Sequence, residues 1–343
     1  MDHSPPSPPR LAYSFPHGTF DLEEVRPDAC VYAEEDGTAA VALEENWLAL
    51  FPRLRGLGGV LASVMGGPLS VAQTWMTPDF LRVPGSDILM ETVTGSEIDM
   101  RRLGRVLAVV EQGHDSQELA NLQFFDLAGA GCLKILLTNL SDLDAFHRIV
   151  ADFGCSYRMP TPPPRRASEE NGALPLCRPS TGQVRGLWHG LGRSAPDHFF
   201  PGLDEVPRLS ALDAAGPDLT WPIDHDTFMR ALDCGMEPGA TLEVTVRNAA
   251  LLSHASLNPT HRNQCPCGTT FFSPWSQLTL RRPVNPGPVR VSQLPAAPRQ
   301  PAALQLEYYT ATHHLSGTVR LSTEAGFQTP AQWEKILRPD SAG

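Results

Sequence analysis

The chain contains two diverged copies of one strand–turn–strand–helix unit, which lie roughly 180 positions apart. The first copy comprises Ala120-Asn-Leu-Gln-Phe-Phe-Asp126, Leu133-Lys-Ile-Leu-Leu137 and Asp144-Ala-Phe-His-Arg-Ile-Val150. The second comprises Leu304-Gln-Leu-Glu-Tyr-Tyr309, Thr318-Val-Arg-Leu321 and Ala331-Gln-Trp-Glu-Lys-Ile-Leu337. The match extends backwards, because both copies are preceded by a strand, an Arg pair and a second strand: 96–110 in the first and 276–291 in the second. A repeat of this length is not chance periodicity, and it predicts two halves with one architecture.

The runs between Val60 and Phe125 predict an antiparallel meander. They are short and apolar, and Gly, Pro or Asp turns separate them. Helical spacing predicts one helix from Glu44 to the Gly56-Leu-Gly-Gly59 breaker and another from Asp142 to Phe153, capped by Asp142 or Ser141. The second half repeats this order. We therefore expect an α+β protein built by internal duplication, in which each half is an antiparallel β-sheet with flanking helices.

Proline and glycine, at 33 and 28 residues, are concentrated in segments that predict linkers. We expect a loose N-terminal arm over 1–30, a first half over 31–156, a Pro-rich linker over 157–205, and a second half with the ligand site over 206–340. At 343 residues the chain is long enough for both halves to bury a core.

Charge and composition exclude several classes of protein. A net charge of -11 with only 27 Lys and Arg disfavours a nucleic-acid binder. No leader-like segment and no apolar run approaching the roughly 20 residues of a membrane span is present, so we expect a cytoplasmic protein without membrane insertion. The seven Cys are scattered, which favours reduced thiols. Cys265-Pro-Cys267, with His261 four residues upstream, is a weak metal or redox pattern, and incidental thiols in a loop are the favoured interpretation.

Several of these segments resemble one protein family. They are Leu122-Gln-Phe-Phe-Asp126 with Lys134 and the Phe146 helix, Glu97-Ile-Asp-Met-Arg101, and Ala331-Gln-Trp333. Over 45–155 and 220–338 the chain resembles the cytoplasmic haem-utilisation proteins of the HemS/ChuS type, which traffic or degrade haem in bacteria. The resemblance implies haem as the cofactor. It also implies a haem importer, a haem oxygenase or a reductase as partners.

The same resemblance implies a set of site residues. His225, in Asp224-His225-Asp-Thr-Phe228, stands where the family places the axial ligand of the haem iron, and neutral imidazole is a common haem ligand. Arg101 stands where the family places an Arg of the first half, and Arg281, Arg282 and Arg290 could face the same cleft and pair with the haem propionates. His313 and His314 are candidates for the distal side. The alternatives are an exposed His at a helix start, solvated Arg residues on a sheet edge, and a His pair in a surface turn.

The chain departs from the family at positions that matter for catalysis. Where the family has Gln-x-Tyr-x-x-Arg, this chain has Arg320-Leu-Ser-Thr-Glu-Ala325, so the Tyr and the Arg are absent. Nor does the sequence contain a P-loop, a G-x-S-x-G or an H-E-x-x-H motif. We expect a haem-binding protein that accepts imported haem for transfer or degradation. The alternatives are a haem-degrading enzyme proper and a non-catalytic binding or interaction module that has lost haem.

Overall fold

The computed structural model of the chain describes residues 12–15, 18–21, 39–112, 118–155, 180–191, 208–282, 287–294, 303–323 and 329–338. Most of the predicted arm and linker, with Cys30 and Cys177, lies outside these ranges. None of the helices in the described ranges has the length and apolar character needed to cross a bilayer.

The first half begins with a hairpin inside the predicted arm, formed by β1 (Ala12–Phe15) and β2 (Gly18–Asp21). The elements that follow are β3 (Ala39–Ala42), α1 (Trp47–Leu54), β4 (Gly58–Met65), β5 (Leu69–Trp75), β6 (Phe80–Arg82), β7 (Ile88–Glu91), β8 (Glu97–Asp99), β9 (Leu103–Gln112), β10 (Glu118–Asp126), β11 (Gly131–Ser141) and α2 (Leu143–Phe153). The predicted cap of α2 is confirmed, since the Asp142 carboxylate accepts the Ala145 N–H at 3.0 Å.

The second half repeats this order after two additional helices. Its elements are α3 (Thr181–Leu191), α4 (Arg208–Ala215), β12 (Thr220–Ile223), α5 (His225–Asp233), β13 (Ala240–Arg247), β14 (Leu251–Leu257), β15 (His261–Cys265), β16 (Gly268–Phe272), β17 (Ser276–Arg281), β18 (Val289–Leu294), β19 (Ala303–Tyr309), β20 (Leu315–Thr323) and α6 (Thr329–Leu337). α3 lies within the segment that composition predicted as linker. Val184 and Trp188, one helical turn apart, are both buried, so this segment is a packed element.

The described strands other than β1 and β2 form two antiparallel sheets of nine strands. The order in the first sheet is β15-β16-β17-β5-β4-β11-β10-β9-β3, and in the second sheet β12-β18-β19-β20-β13-β14-β8-β7-β6. The predicted α+β class with antiparallel sheets is confirmed. The sequence did not predict that the halves exchange three strands: β6–β8 extend the sheet of the second half, and β15–β17 extend that of the first.

The strand pairings confirm the register of the repeat. β10 and β11 shift register between Phe124 and Phe125, and β19 and β20 shift between Tyr308 and Tyr309. The two bulges fall at positions that the sequence repeat aligns, so Gln123 of the first sheet is equivalent to Glu307 of the second. The other equivalent residues follow from the strand pairings, counted outward from these two positions.

One face of the second sheet, called here the core face, is apolar and is covered by α5. Leu306 and Tyr308 lie on this face of β19, and both are buried. The Phe228 ring of α5 packs on the Tyr308 ring with centroids 5.2 Å apart. Because neighbouring residues of a strand point to opposite faces, the residues between these positions belong to the other face.

The two sheets meet where the turn between β4 and β5 touches the second sheet. A Cβ atom on Gly66 would lie 2.5 Å from the Ser316 carbonyl oxygen and 2.7 Å from that of Arg247. Only glycine allows the backbones to approach this closely. The Asn248 side chain also crosses this junction, because its amide nitrogen donates to the carbonyl oxygens of Met65 and Cys132 at 2.9 and 2.8 Å.

Candidate functional site

His225 lies at the rim of the core, on the side of the second sheet that α5 covers. It is the first residue of α5, directly after Asp224, whose carboxylate caps the helix by accepting the Thr227 N–H at 2.6 Å. The His225 side chain is exposed, and its ring centroid lies 6.2 Å from those of Phe228 and Tyr308. Within the described residues the Tyr308 hydroxyl, which is buried, has no hydrogen-bond partner, and burial raises its pKa.

Arg290 lies on the opposite face of the same sheet. It stands directly across from Glu307 in the β18–β19 pairing, whereas Tyr308 is the next residue along β19 and points to the core face. The Arg290 guanidinium pairs with the Asp213 carboxylate of α4. The sheet therefore separates His225 from Arg290, and the structure does not bring these two residues into one cleft.

Arg101 follows β8 in a single helical turn, far along the second sheet from His225. Three strands separate β8 from β19, so the two strands are about 19 Å apart at the usual spacing. The Arg101 side chain is 68% exposed and donates to both carboxylate oxygens of Asp99, at 3.0 and 2.9 Å. This hydrogen-bonded pair holds the pKa of Asp99 below its ordinary value, so the guanidinium has a carboxylate partner within its own turn.

The other four predicted residues are exposed at strand ends. Arg281 ends β17 in the first sheet, and Arg282 follows it. His313 and His314 lie in the turn between β19 and β20, where His313 has a positive φ of 68°. The seven predicted residues thus occupy both faces and both sheets, and they do not form one constellation.

The register gathers a different set of side chains on the face of the second sheet opposite the core, called here the polar face. Its members are Glu243, Thr245, His254, Ser256, Arg290, Ser292, Gln305, Glu307, Thr318 and Arg320. A polar face on a sheet whose other face carries the core is ordinary when water covers it. Here several members are buried, so other parts of the chain must cover them.

Glu307 is fully buried and accepts hydrogen bonds from four residues. Arg208, the first residue of α4, donates to its two carboxylate oxygens at 2.7 and 2.8 Å. The hydroxyls of Ser292 and Tyr309 each donate at 2.6 Å, and the Gln305 amide nitrogen donates at 3.5 Å. Burial alone would raise the pKa of Glu307, but the Arg208 guanidinium and the hydrogen bonds hold it below its ordinary value. Burial raises the pKa of Tyr309, and the neighbouring Glu307 carboxylate adds to this effect.

α3 and α4 cover the part of the polar face formed by β18 and β19. The Trp188 indole of α3 packs with Leu212 of α4 against Tyr309, and its N–H donates to the Gln293 carbonyl oxygen at 2.9 Å. The Arg208–Glu307 and Arg290–Asp213 pairs fasten α4 to the same strands.

A cavity of about 370 Å³ lies further along, where β13, β14 and β20 carry the polar face. Its lining residues are Gln73, Val93, Thr94, Glu243, Val244, Thr245, His254, Ala255, Ser256 and Arg320. The half-buried His254 ring has its Nδ1 atom 3.1 Å from the Thr245 hydroxyl, and Arg320 Nε lies 3.5 Å from Glu243 Oε2. The volume falls in the range of small-molecule sites.

The first sheet has different residues at four positions equivalent to those of the polar face. Counting from the bulges, the residues that correspond to Glu243, His254, Arg290 and Arg320 are Leu61, Ala72, Leu107 and Leu136. All four counterparts are apolar. The duplication thus supplies an internal reference, and against it the ionisable side chains at these four positions of the polar face are specific to the second half.

Sequence reasoning missed Arg208 and Glu307, although one signal pointed to Glu307. In the repeat, Glu307 replaces Gln123 at a position flanked by strand residues that predict burial. A carboxylate there requires a buried cation. Nothing local identifies Arg208 as that cation, because it lies 99 positions away.

Cys265 and Cys267 form a disulfide with their Cα atoms 5.3 Å apart, so the expectation of reduced thiols is wrong for this pair. The other cysteines in the described ranges, Cys132, Cys155 and Cys234, are thiols. Those ranges contain no cluster of three or more His, Cys, Asp or Glu that could hold a metal ion.

No protein-family model and no curated protein sequence matches the chain. Among solved structures, it is similar to holo-PhuS, a haem-binding protein from Pseudomonas aeruginosa, with a TM-score of 0.70, 16% identity, and coverage of 87% of this chain and 86% of that one. It is also similar to the haem-degrading enzyme ChuS from Escherichia coli O157:H7, with a TM-score of 0.72, 16% identity, and coverage of 88% and 87%. The fold implied by the sequence resemblance is therefore confirmed. Identity at this level supports the fold, and the activity must be argued from the site.

Proposed function

We propose that the protein binds haem on the polar face of the second sheet and carries it for haem utilisation. The observation that supports this site is the contrast between the halves. Four positions that hold Leu or Ala in the first sheet hold Glu243, His254, Arg290 and Arg320 in the second. Structures of similar fold include one of a haem-binding protein and one of a haem-degrading enzyme.

The residues that line the cavity suit the chemistry of haem. An imidazole is a common axial ligand of haem iron, and a hydrogen bond to its second nitrogen orients the ring. His254 provides the imidazole, with Thr245 at its Nδ1 atom. A guanidinium is a good partner for a propionate, and Arg320 provides one at the same cavity. Arg290 Nε and Gln305 Oε1 are buried polar atoms on this face without hydrogen-bond partners in the described residues.

We favour a carrier role over an enzymatic role, and we propose that the protein acts in the cytoplasm. The Tyr and the Arg that the resemblance leads one to expect near the distal side are absent from Arg320-Leu-Ser-Thr-Glu-Ala325. Bound haem would supply any oxygen chemistry. The chain would supply the ligand, the cations and a covered surface. A haem importer would deliver the haem, and a haem oxygenase or a reductase would act on it.

A haemin titration of the wild type, His254→Ala and His225→Ala, followed at the Soret band, tests the site. We expect a saturable one-to-one complex for the wild type. His254→Ala introduces the alanine that the first sheet has at the equivalent position, Ala72. This variant should shift the Soret band and weaken haemin binding by at least about tenfold, because it removes a metal ligand. His225→Ala is the matched control on the core side and should bind like the wild type.

Each other outcome of the titration has a definite meaning. Loss of the complex in His225→Ala, but not in His254→Ala, would place the iron on the core side and overturn the cavity site. Absence of a saturable complex in the wild type would leave a non-catalytic binding module that has lost haem. If a complex forms, decay of its Soret band only on adding ascorbate or a reductase would identify a haem-degrading enzyme instead of a carrier.

A further inference from the structure

The Cys265–Cys267 disulfide lies at the tip of an exposed hairpin. Cys265 pairs with Gly268 across the β15–β16 ladder, so Pro266 and Cys267 form a two-residue turn. Residues 264–267 are exposed, and β15 is the edge strand of the first sheet. Reagents from solution can therefore reach the turn that carries the disulfide.

The hairpin does not need this bond in order to close. Five residue pairs, from His261↔Phe272 to Cys265↔Gly268, already hold β15 to β16. A disulfide stabilises chiefly by restricting the unfolded chain, and this restriction is small when the two Cys are only two positions apart. A structural role therefore accounts poorly for the bond.

The backbones of two arginines are fixed beside the turn, and both residues are exposed. The Arg282 backbone N–H donates to the Cys267 carbonyl oxygen at 2.7 Å, and Arg281 stands opposite Gly268 in the β16–β17 pairing. A Cβ atom on Gly268 would lie 2.2 Å from the Leu280 carbonyl oxygen, so glycine is needed for β17 to run this close to the tip. Neighbouring cations stabilise a thiolate, which makes a cysteine a better leaving group when its disulfide is attacked.

We propose that Cys265–Cys267 is a redox-active disulfide that exchanges with an external dithiol. A thiolate of the dithiol attacks one sulfur, the Cys265–Cys267 bond breaks, and a mixed disulfide forms while the other cysteine leaves as a thiolate. The second thiolate of the dithiol then displaces the attached cysteine. The dithiol ends as a disulfide, Cys265 and Cys267 end reduced, and the two thiol protons of the dithiol pass to them through water. This inference does not depend on haem binding.

The test equilibrates the folded full-length chain in dithiothreitol buffers of graded reduced-to-oxidised ratio, quenches with acid, alkylates, and counts labels on the peptide that contains both cysteines. We expect full reversibility between zero and two labels, while Cys132 and Cys234 stay protected by burial. The variant with both Arg281→Gln and Arg282→Gln should exchange about two- to fivefold more slowly, because fewer cations stabilise the thiolate that leaves. The variant with both Cys265→Ser and Cys267→Ser should keep the wild-type melting temperature.

Two results would overturn the proposal. A disulfide that is reduced only after the chain unfolds would be a structural bond. Two alkylated thiols at every buffer ratio would mean that the pair does not form a disulfide in solution. An exchange rate unchanged in the Arg281→Gln and Arg282→Gln variant would remove the role assigned to the arginines.

Discussion

Replacing Arg208 by alanine should lower the free energy of unfolding by about 3–5 kcal/mol, because it leaves the carboxylate of Glu307 buried without a cation. Glu307 is fully buried, and the Arg208 side chain is only 13% exposed, so water cannot replace the guanidinium at low cost. The hydroxyls of Ser292 and Tyr309 and the amide of Gln305 would remain, but three neutral donors do not balance a buried charge. Urea unfolding of wild type and variant measures the difference.

Two controls separate the buried charge from a general loss of an arginine. Arg338→Ala removes an exposed pair with Glu334 and should change the unfolding free energy by less than about 0.5 kcal/mol. The double variant combines Arg208→Leu with Glu307→Gln, because glutamine is the residue at the equivalent position of the first half, Gln123. It should recover most of the unfolding free energy that Arg208→Ala loses. A cost below about 1 kcal/mol for Arg208→Ala would contradict the proposed energetic role of the pair.

The same pair predicts how stability depends on pH. Because the pKa of Glu307 is lower in the folded state than its ordinary value of 4.5, its contribution is fully present above that value. It is lost as pH falls through the lower pKa of the folded state. In the double variant, which has no ionisable group at position 307, acid unfolding measured over the same pH range should lose this component.

The sequence was sufficient for the fold of each half, because short apolar runs bounded by turn residues and a repeated segment can be read from the sequence alone. It did not predict the exchange of β6–β8 and β15–β17 between the sheets. Each three-stranded block is consistent with pairing to either half, and only the packing of the whole chain decides which sheet it joins. α3 was missed for a related reason, since Pro-rich flanks hide a short helix whose stability comes from Trp188 and its contacts.

The site was harder to predict than the fold. A motif match assigns His225 a role from its position along the chain, but it gives no information on which face of a sheet a residue occupies. Arg290 and His225 could be separated only by register, because one position along a strand reverses the face. A position-by-position comparison of the two copies is the most informative indication of the site in the sequence. It contrasts Ala72 with His254 and Leu136 with Arg320, but it requires the register that the bulges provide.

Asn248→Ala should cost about 2–4 kcal/mol, because this one side chain ties the second sheet to the first. Its amide nitrogen donates to the carbonyl oxygens of Met65 and Cys132, and its amide oxygen accepts the N–H groups of Ala250 and Leu251 at 3.0 and 2.8 Å. Alanine leaves two carbonyls and two N–H groups to find other partners at a tight junction. Thermal and urea unfolding should both show the loss.

Two further variants test whether the amide nitrogen carries this effect. Asn248→Asp keeps an acceptor for Ala250 and Leu251 but turns a carboxylate oxygen towards two carbonyl oxygens, so it should destabilise at least as much as alanine. Asn258→Ala is the matched control. Its amide is exposed and donates within the second sheet, to Ala240 and Thr241, so its cost should stay below about 1 kcal/mol. Equal costs for the Asn248 and Asn258 variants would show that the junction is held by apolar packing and the close approach at Gly66, with no special part for Asn248.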